Sequence, residues 1–207
     1  RPRFVQERME SMRILFQGHG SLRLTTGSGK VVYIDPYAGE GYDKPADLIL
    51  VTHQHFDHIG IDKMPHSDGC IVIQSFDALA GGRHHHFSAC GLDIESVPAE
   101  NQKHSRAECV GYIVRGEGLC LYFAGDTSYF PEMDGFAQKQ IDYAFLPTDG
   151  FYNMDASEAS RCAEIIGAKH AVPIHMNPKQ MLFDPAVAEQ FTAKNRLIIK
   201  AGEEIEL

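Results

Sequence analysis

Short apolar and β-branched runs recur along the chain, separated by glycine, aspartate and proline, and this punctuation predicts strands. Met12–Phe16, Leu22–Thr25, Val31–Ile34 and Leu48–Thr52 form a first series, with turns at Gly18–Gly20 and Gly27–Gly29. Ile71–Gln74, Leu92–Val97, Val110–Arg115 and Leu119–Ala124 continue it, and Arg115–Gly118 reads as a hairpin loop. From Tyr143 the pattern alternates: strand Tyr143–Leu146, helix Ala156–Ile166, strand Ala171–Ile174, helix Pro185–Thr192, strand Leu197–Lys200. The first of these helices opens on Asp155 as N-cap with Glu158 behind it, and stops at Gly167. Hairpins that give way to strand–helix alternation predict α/β layering rather than an all-β barrel.

No Ser/Pro-rich stretch or charge run divides the chain, so residues 12–207 read as one domain and residues 1–11 as a leader or disordered N-terminus. VVYIDPY (Val31–Tyr37) and LYFAGDT (Leu121–Thr127) echo each other. Each is a strand ending in aspartate, followed after a loop by an Asp-led strand, as two related halves packed sheet on sheet would give.

Composition narrows the function. With 207 residues and 43% apolar positions the chain can close a sizeable core. A net charge of −9 lacks the electrostatic footprint of a nucleic-acid or anionic-membrane binder. No apolar run approaches membrane-spanning length, and no signal-peptide pattern opens the chain, so a cytoplasmic protein is expected. Five cysteines without a CxxC pair read as buried thiols in a reducing compartment. Eleven histidines, beside no tryptophan, direct the search to metal ligands.

The strongest signal is Thr52-His53-Gln54-His55-Phe56-Asp57-His58, directly after the apolar strand DLILV. Ligand spacing of two puts His53 and His55 on one side of an extended chain, while Asp57 and His58 enter a tighter turn and can aim elsewhere. One loop can therefore serve two metals. The alternative, a solvated histidine-rich loop, rarely holds three histidines and an aspartate in this order beside a buried strand. His104 in a loop, Asp126 in the turn Gly125-Asp126-Thr127 and His175 after strand Ala171–Ile174 supply further candidates. Alone, each has an ordinary reading: surface residue, turn former, capped core histidine. Together with the first motif they form a convergent set.

THQHFDH, the later histidine, AGDT and PIH resemble the metallo-β-lactamase fold superfamily, and within it the small metal-dependent hydrolases that include the L-ascorbate-6-phosphate lactonase group. The resemblance implies a four-layer αβ/βα sandwich. It implies two divalent metal ions, zinc first and manganese or iron after it, one held by His53, His55 and His104, the other by Asp57, His58 and His175. Asp126 would bridge them, a metal-bridging hydroxide would attack, and Asp57 would orient it or carry its proton. His19 matches a family histidine near the site and is a substrate contact or a turn histidine. Asp35 supports a ligand histidine or starts a turn. His84–His86 read as a solvated loop; Tyr129, Phe130, Met133, Phe151, Tyr152 and Met154 fit core packing better than a pocket wall. Glu100 and Thr148-Asp149-Gly150 depart from the family pattern towards polarity.

The function this favours is a dinuclear hydrolase of a small ester, lactone or phosphoester, anionic in character, in a protein that binds neither nucleic acid nor membrane and is free to form homo-oligomers. An iron-dependent redox enzyme is disfavoured by retention of His55. A nuclease is disfavoured by size and charge, and a non-catalytic metal-binding protein by the full ligand set.

Overall fold

The computed structural model describes residues 10–207; most of the expected leader lies outside them. Twelve strands form two six-stranded sheets. The first holds β1 (Arg13–Gly18), β2 (Ser21–Thr25), β3 (Val31–Ile34), β4 (Ala46–Leu50) and β5 (His66–Ile73), with β12 (Glu204–Glu206) beside β1. The second holds β6 (His86–Ala89), β7 (Leu92–Pro98), β8 (Val110–Gly116), β9 (Leu119–Phe123), β10 (Tyr143–Pro147) and β11 (His170–Ile174). Helices are few: α1 (Ser75–Ala78), α2 (Ala156–Ile166) and α3 (Pro185–Gln190), with a 3-10 segment at Pro131–Lys139.

The sheets share one plan. In each, an antiparallel meander (β1-β2-β3, β7-β8-β9) leads into two parallel strands (β4-β5, β10-β11). The echo between VVYID and LYFAGD is therefore structural, because it aligns β3 with β9, and the strands that follow align β4 with β10.

Alternation along the strands builds the layers. Ile14, Phe16, Leu22, Leu24, Val32, Ile34, Leu48 and Leu50 face Tyr112, Val114, Leu121, Phe123 and Phe145 in a core between the sheets. Their neighbours face outward: Ile113, Tyr122, Ala144 and Leu146 pack under Ala159, Cys162, Ala163 and Ile166 of α2. Outside the first sheet, Val31, Tyr33, Ile49 and Val51 are covered by loop residues Tyr42, Ile59, Ile61 and Met64. The result is an α/β sandwich. Asp155 caps α2 by accepting from the Glu158 amide at 2.8 Å, and Gly167 ends it at φ +65°.

Two expectations are corrected. Leu197–Lys200 is not a strand; the isolated bridge to β11 falls one residue earlier, Arg196 to Ala171, and the closing strand is β12. His86 opens β6, an edge strand, rather than lying in a loop. All five cysteines are unpaired. No helix among the described residues is long and apolar enough to cross a membrane.

Candidate metal centre

The carboxyl ends of the parallel strands of both sheets meet at one edge, where α/β folds collect binding groups. Asp35 follows β3, Thr52–His58 follow β4, Asp126 follows β9, Asp149 follows β10 and His175 follows β11. His19 sits in the β1–β2 turn, and His104 in the loop before β8. Backbone bonds sew the sheets together there: Val110 N to Thr52 O at 2.9 Å, and His175 N to His19 O at 2.8 Å. His19, Asp35 and His175 have positive φ of 52°, 45° and 49°. Such left-handed backbone costs a non-glycine residue about 1–3 kcal/mol and tends to cluster at functional sites.

Three groups of donors result among the described residues, the atoms in each lying within 4.8 Å of one another; one of them, Asp35, His53 and His58, shares its histidines with the other two. Of those two, the first is His53, His55, His104 and Asp126; the second is His19, Asp57, His58 and His175. Asp126 faces both. Its Oδ2 lies 3.2 Å from His104 Nε2 and 3.7 Å from His53 Nε2, while Oδ1 lies 3.3 Å from His175 Nε2 and 3.5 Å from His58 Nε2. All seven residues expected as ligands are therefore brought together.

The surrounding bonds set the imidazole tautomers. Thr52 Oγ1 donates to Asp35 Oδ2 at 2.6 Å, so it accepts from His53 Nδ1 at 3.0 Å. His58 Nδ1 donates to the same Asp35 oxygen at 2.8 Å. In the neutral form both rings then present bare Nε2 atoms to the cavity. Asp35 thus buttresses one donor from each group, and the Thr52 amide, at 2.7 Å, holds its other oxygen.

Among buried polar atoms, His58 Nε2, His104 Nε2, His175 Nε2 and Asp126 Oδ1 have no hydrogen-bond partner. Unpaired buried donors and acceptors are costly, and here four converge. His53 Nε2 and His55 Nδ1 face each other at 3.1 Å. Lone pairs aimed at shared points, beside buried carboxylates, fit divalent cations.

Charge is distributed accordingly. Burial, with His58 close by, holds His53 well below the usual histidine range. Burial alone pushes Asp126 up, but His175 and His58 outweigh it and keep the carboxylate well below its ordinary value. Asp57 is likewise depressed against burial, chiefly by its bond with His19. The acids stay ionised, so the centre demands positive charge.

His19, expected at the substrate or in a turn, lies in the β1–β2 turn and does not line the cavity. It is buried, its Nε2 is 2.7 Å from Asp57 Oδ2, and its ring packs on His175 with centroids 3.6 Å apart. A cavity of about 490 Å³ opens beside the centre, lined by His55, Asp57, His104, Asp126 and His175 on the polar side. Phe56, Tyr152, Pro178 and Met181 form its apolar side, and Lys103 its cationic edge. Tyr152 is thus a wall residue, whereas Phe130, Met133 and Met154 are core. Lys103 Nζ sits 4.0 Å from the Phe151 ring centroid and 4.7 Å from that of Tyr152.

Several residues escaped the sequence reading of the site. Asp149 Oδ2 lies 2.8 Å from His175 Nδ1, and Asn101 accepts from His104 Nδ1 at 2.8 Å. Asp149 had one signal, its unusual polarity after β10. Glu100 had another, and it turns away from the centre to pair with Arg106 at 2.7 Å.

Two sheets of mirrored order with a histidine- and aspartate-lined centre at their shared edge define a metallo-β-lactamase fold. The metallo-β-lactamase fold protein YhfI of Bacillus subtilis shares it at a TM-score of 0.69 and 13% identity, over 95% of this chain and 100% of that one. The family model described as the beta-lactamase superfamily domain matches residues 13–175, and the chain belongs to that family. It is 30% identical to the UPF0173 metal-dependent hydrolase of Pyrococcus furiosus, over 95% of this chain and 100% of the relative. A candidate metal-dependent hydrolase of Parabacteroides distasonis matches at 28% identity and a TM-score of 0.74, over 93% of this chain and 94% of that one.

Proposed function

We propose that this protein is a dinuclear metal-dependent hydrolase acting on a small ester, lactone or phosphoester. One observation carries the reading: the two oxygens of Asp126 face separate clusters of histidine nitrogens. His53, His55 and His104 would hold one ion, Asp57, His58 and His175 the other, and Asp126 would bridge. Zinc suits an imidazole-rich donor set, with manganese or iron as alternatives. When bound, such ions polarise a scissile carbonyl or phosphoryl oxygen and lower the pKa of water.

The chain's own residues do the rest. Asp35 fixes His53, through Thr52, and His58, so their lone pairs need no rearrangement. His19 holds Asp57 Oδ2, leaving that carboxylate oriented towards the cavity to position an attacking water and pass its proton to the leaving group. Phe56, Tyr152 and Met181 exclude water from the apolar part of the substrate, and Lys103 meets an anionic substituent.

The test is a panel of lactones, carboxylic and thioesters, and phosphodiesters, assayed with zinc-loaded protein and with EDTA. Elemental analysis should find about two metal equivalents per chain, the number a two-metal site holds. Turnover of at least one ester class, lost with EDTA and restored by zinc, is expected. Undiminished turnover after chelation would overturn the proposal.

A further inference from the structure

We infer that Asn101, Asn153 and Asp149 form a positioning chain that couples the two metal positions through the protein, independently of the Asp126 bridge. The inference rests on the two-metal reading.

Three hydrogen bonds and one close ion-pair contact make up the chain. His104 Nδ1 meets Asn101 Oδ1 at 2.8 Å, Asn101 Nδ2 meets Asn153 Oδ1 at 3.0 Å, and Asn153 Nδ2 meets Asp149 Oδ2 at 2.8 Å. The same Asp149 oxygen lies 2.8 Å from His175 Nδ1, close but imperfectly aligned for a hydrogen bond. It therefore runs from a histidine of the first group to a histidine of the second. Asn153 and both histidines are buried, and the Asp149 side chain has no exposed surface.

Its polarity is fixed at both ends. The Lys103 backbone N–H can only donate, and it does so to Asn101 Oδ1 at 2.9 Å, which makes that atom the oxygen. Asp149 can only accept, so the Asn153 atom facing it is the amide nitrogen. Neither amide can flip without placing like groups together. His104 Nδ1, facing an acceptor, carries a proton, so Nε2 is the nitrogen left to coordinate a metal. At the other end Asp149 likewise selects a protonated Nδ1 on His175. One directional array thus prepares both rings for coordination through Nε2.

Asp149 also ties the chain to the cavity wall. Its Oδ1 accepts from the amides of Phe151 and Tyr152 at 2.7 and 2.6 Å, holding the loop that presents Tyr152. Asn153 is the informative position, since among the described residues its side chain bonds to Asn101 and Asp149 alone.

The experiment replaces Asn153 by leucine, similar in size and without hydrogen bonds, and measures zinc affinity by chelator competition. Removing an outer partner of a metal ligand typically lowers affinity about 10–100-fold. The expected result is a loss on that scale at both positions. In long-range 1H–15N spectra of the zinc-loaded protein, the Nδ1–H signals of His104 and His175 should shift, although leucine touches only one neighbour of each. A double-mutant cycle with Asn101→Leu should be non-additive, because cutting one chain twice loses little more than cutting it once. Where N153L does not fold, Asn153→Ala takes its place. A wild-type chain that binds no zinc defeats the two-metal reading itself. A wild type with two ions, and variants that keep both at wild-type affinity or add independently, overturns the coupling.

Discussion

Asp126 reconciles two requirements in one side chain: burial that excludes water, and a charge that burial makes costly. Nearby histidines keep it ionised, and divalent cations would stabilise it further. Asp126→Asn preserves shape and removes the charge. The account expects this variant to lose ions from both positions and to lose kcat/KM by about a hundredfold or more, the scale of removing a dominant electrostatic group. Metal analysis together with kinetics checks it, and two tightly held ions in the variant would contradict the bridging role. The residues visible in the sequence were those packed close along the chain, as in His53–His58, or set at strand ends after apolar runs. His19 and Asp57 meet across 38 positions and Asn101 and Asn153 across 52, with no local pattern to announce either pair. A turn histidine and two loop asparagines look ordinary until the fold closes.

Among the elements, legibility followed apolar alternation. Strands such as β3, β4, β8 and β9 bury both faces or one clean stripe, and their sequences say so. β6 (HFSA) and β12 (EIE) are exposed edge strands with one or two apolar residues, too little to signal a strand. Leu197–Lys200 had the composition of a strand, but the single bridge to β11 forms at Arg196, just before it. The α2 cap was legible because Asp155 and Gly167 act locally. Asp155→Ala should therefore cost about 1 kcal/mol, lowering Tm by a few degrees in thermal denaturation. An unchanged Tm would show that α2 draws its start from packing alone. On β7, Glu95 joins Arg115 of β8 at 3.1 Å and Lys139 at 2.7 Å. Burial opposes ionisation of Glu95, but these two cations outweigh it and lower its pKa. A depressed folded-state pKa contributes stability above the ordinary glutamate range and loses it as pH falls through the folded value. Wild type should accordingly exceed Glu95→Gln by up to about 1 kcal/mol near neutrality. In denaturant melts that gap should narrow as pH falls below the ordinary glutamate range and vanish in stronger acid, and a gap that persists there would refute the assignment.

In the whole molecule, the centre lies where two similar halves meet, and each half supplies donors. His53, His55, Asp57 and His58 come from the first sheet, and Asp126 and His175 from the second. Ions held there would clamp the sheets together, so metal binding is linked to folding. Free zinc at a hundred times its dissociation constant would add about 2.7 kcal/mol. Chelation should lower Tm, and zinc should restore it in proportion to the logarithm of its free concentration. A Tm indifferent to metal, in protein shown to lose it, would dissociate the centre from the architecture. The most direct measurement is anomalous diffraction from crystals of zinc-loaded protein, recorded on both sides of the zinc absorption edge. The account predicts two peaks flanking Asp126, one beside His53, His55 and His104 and one beside Asp57, His58 and His175. A single peak there, or none, would contradict it.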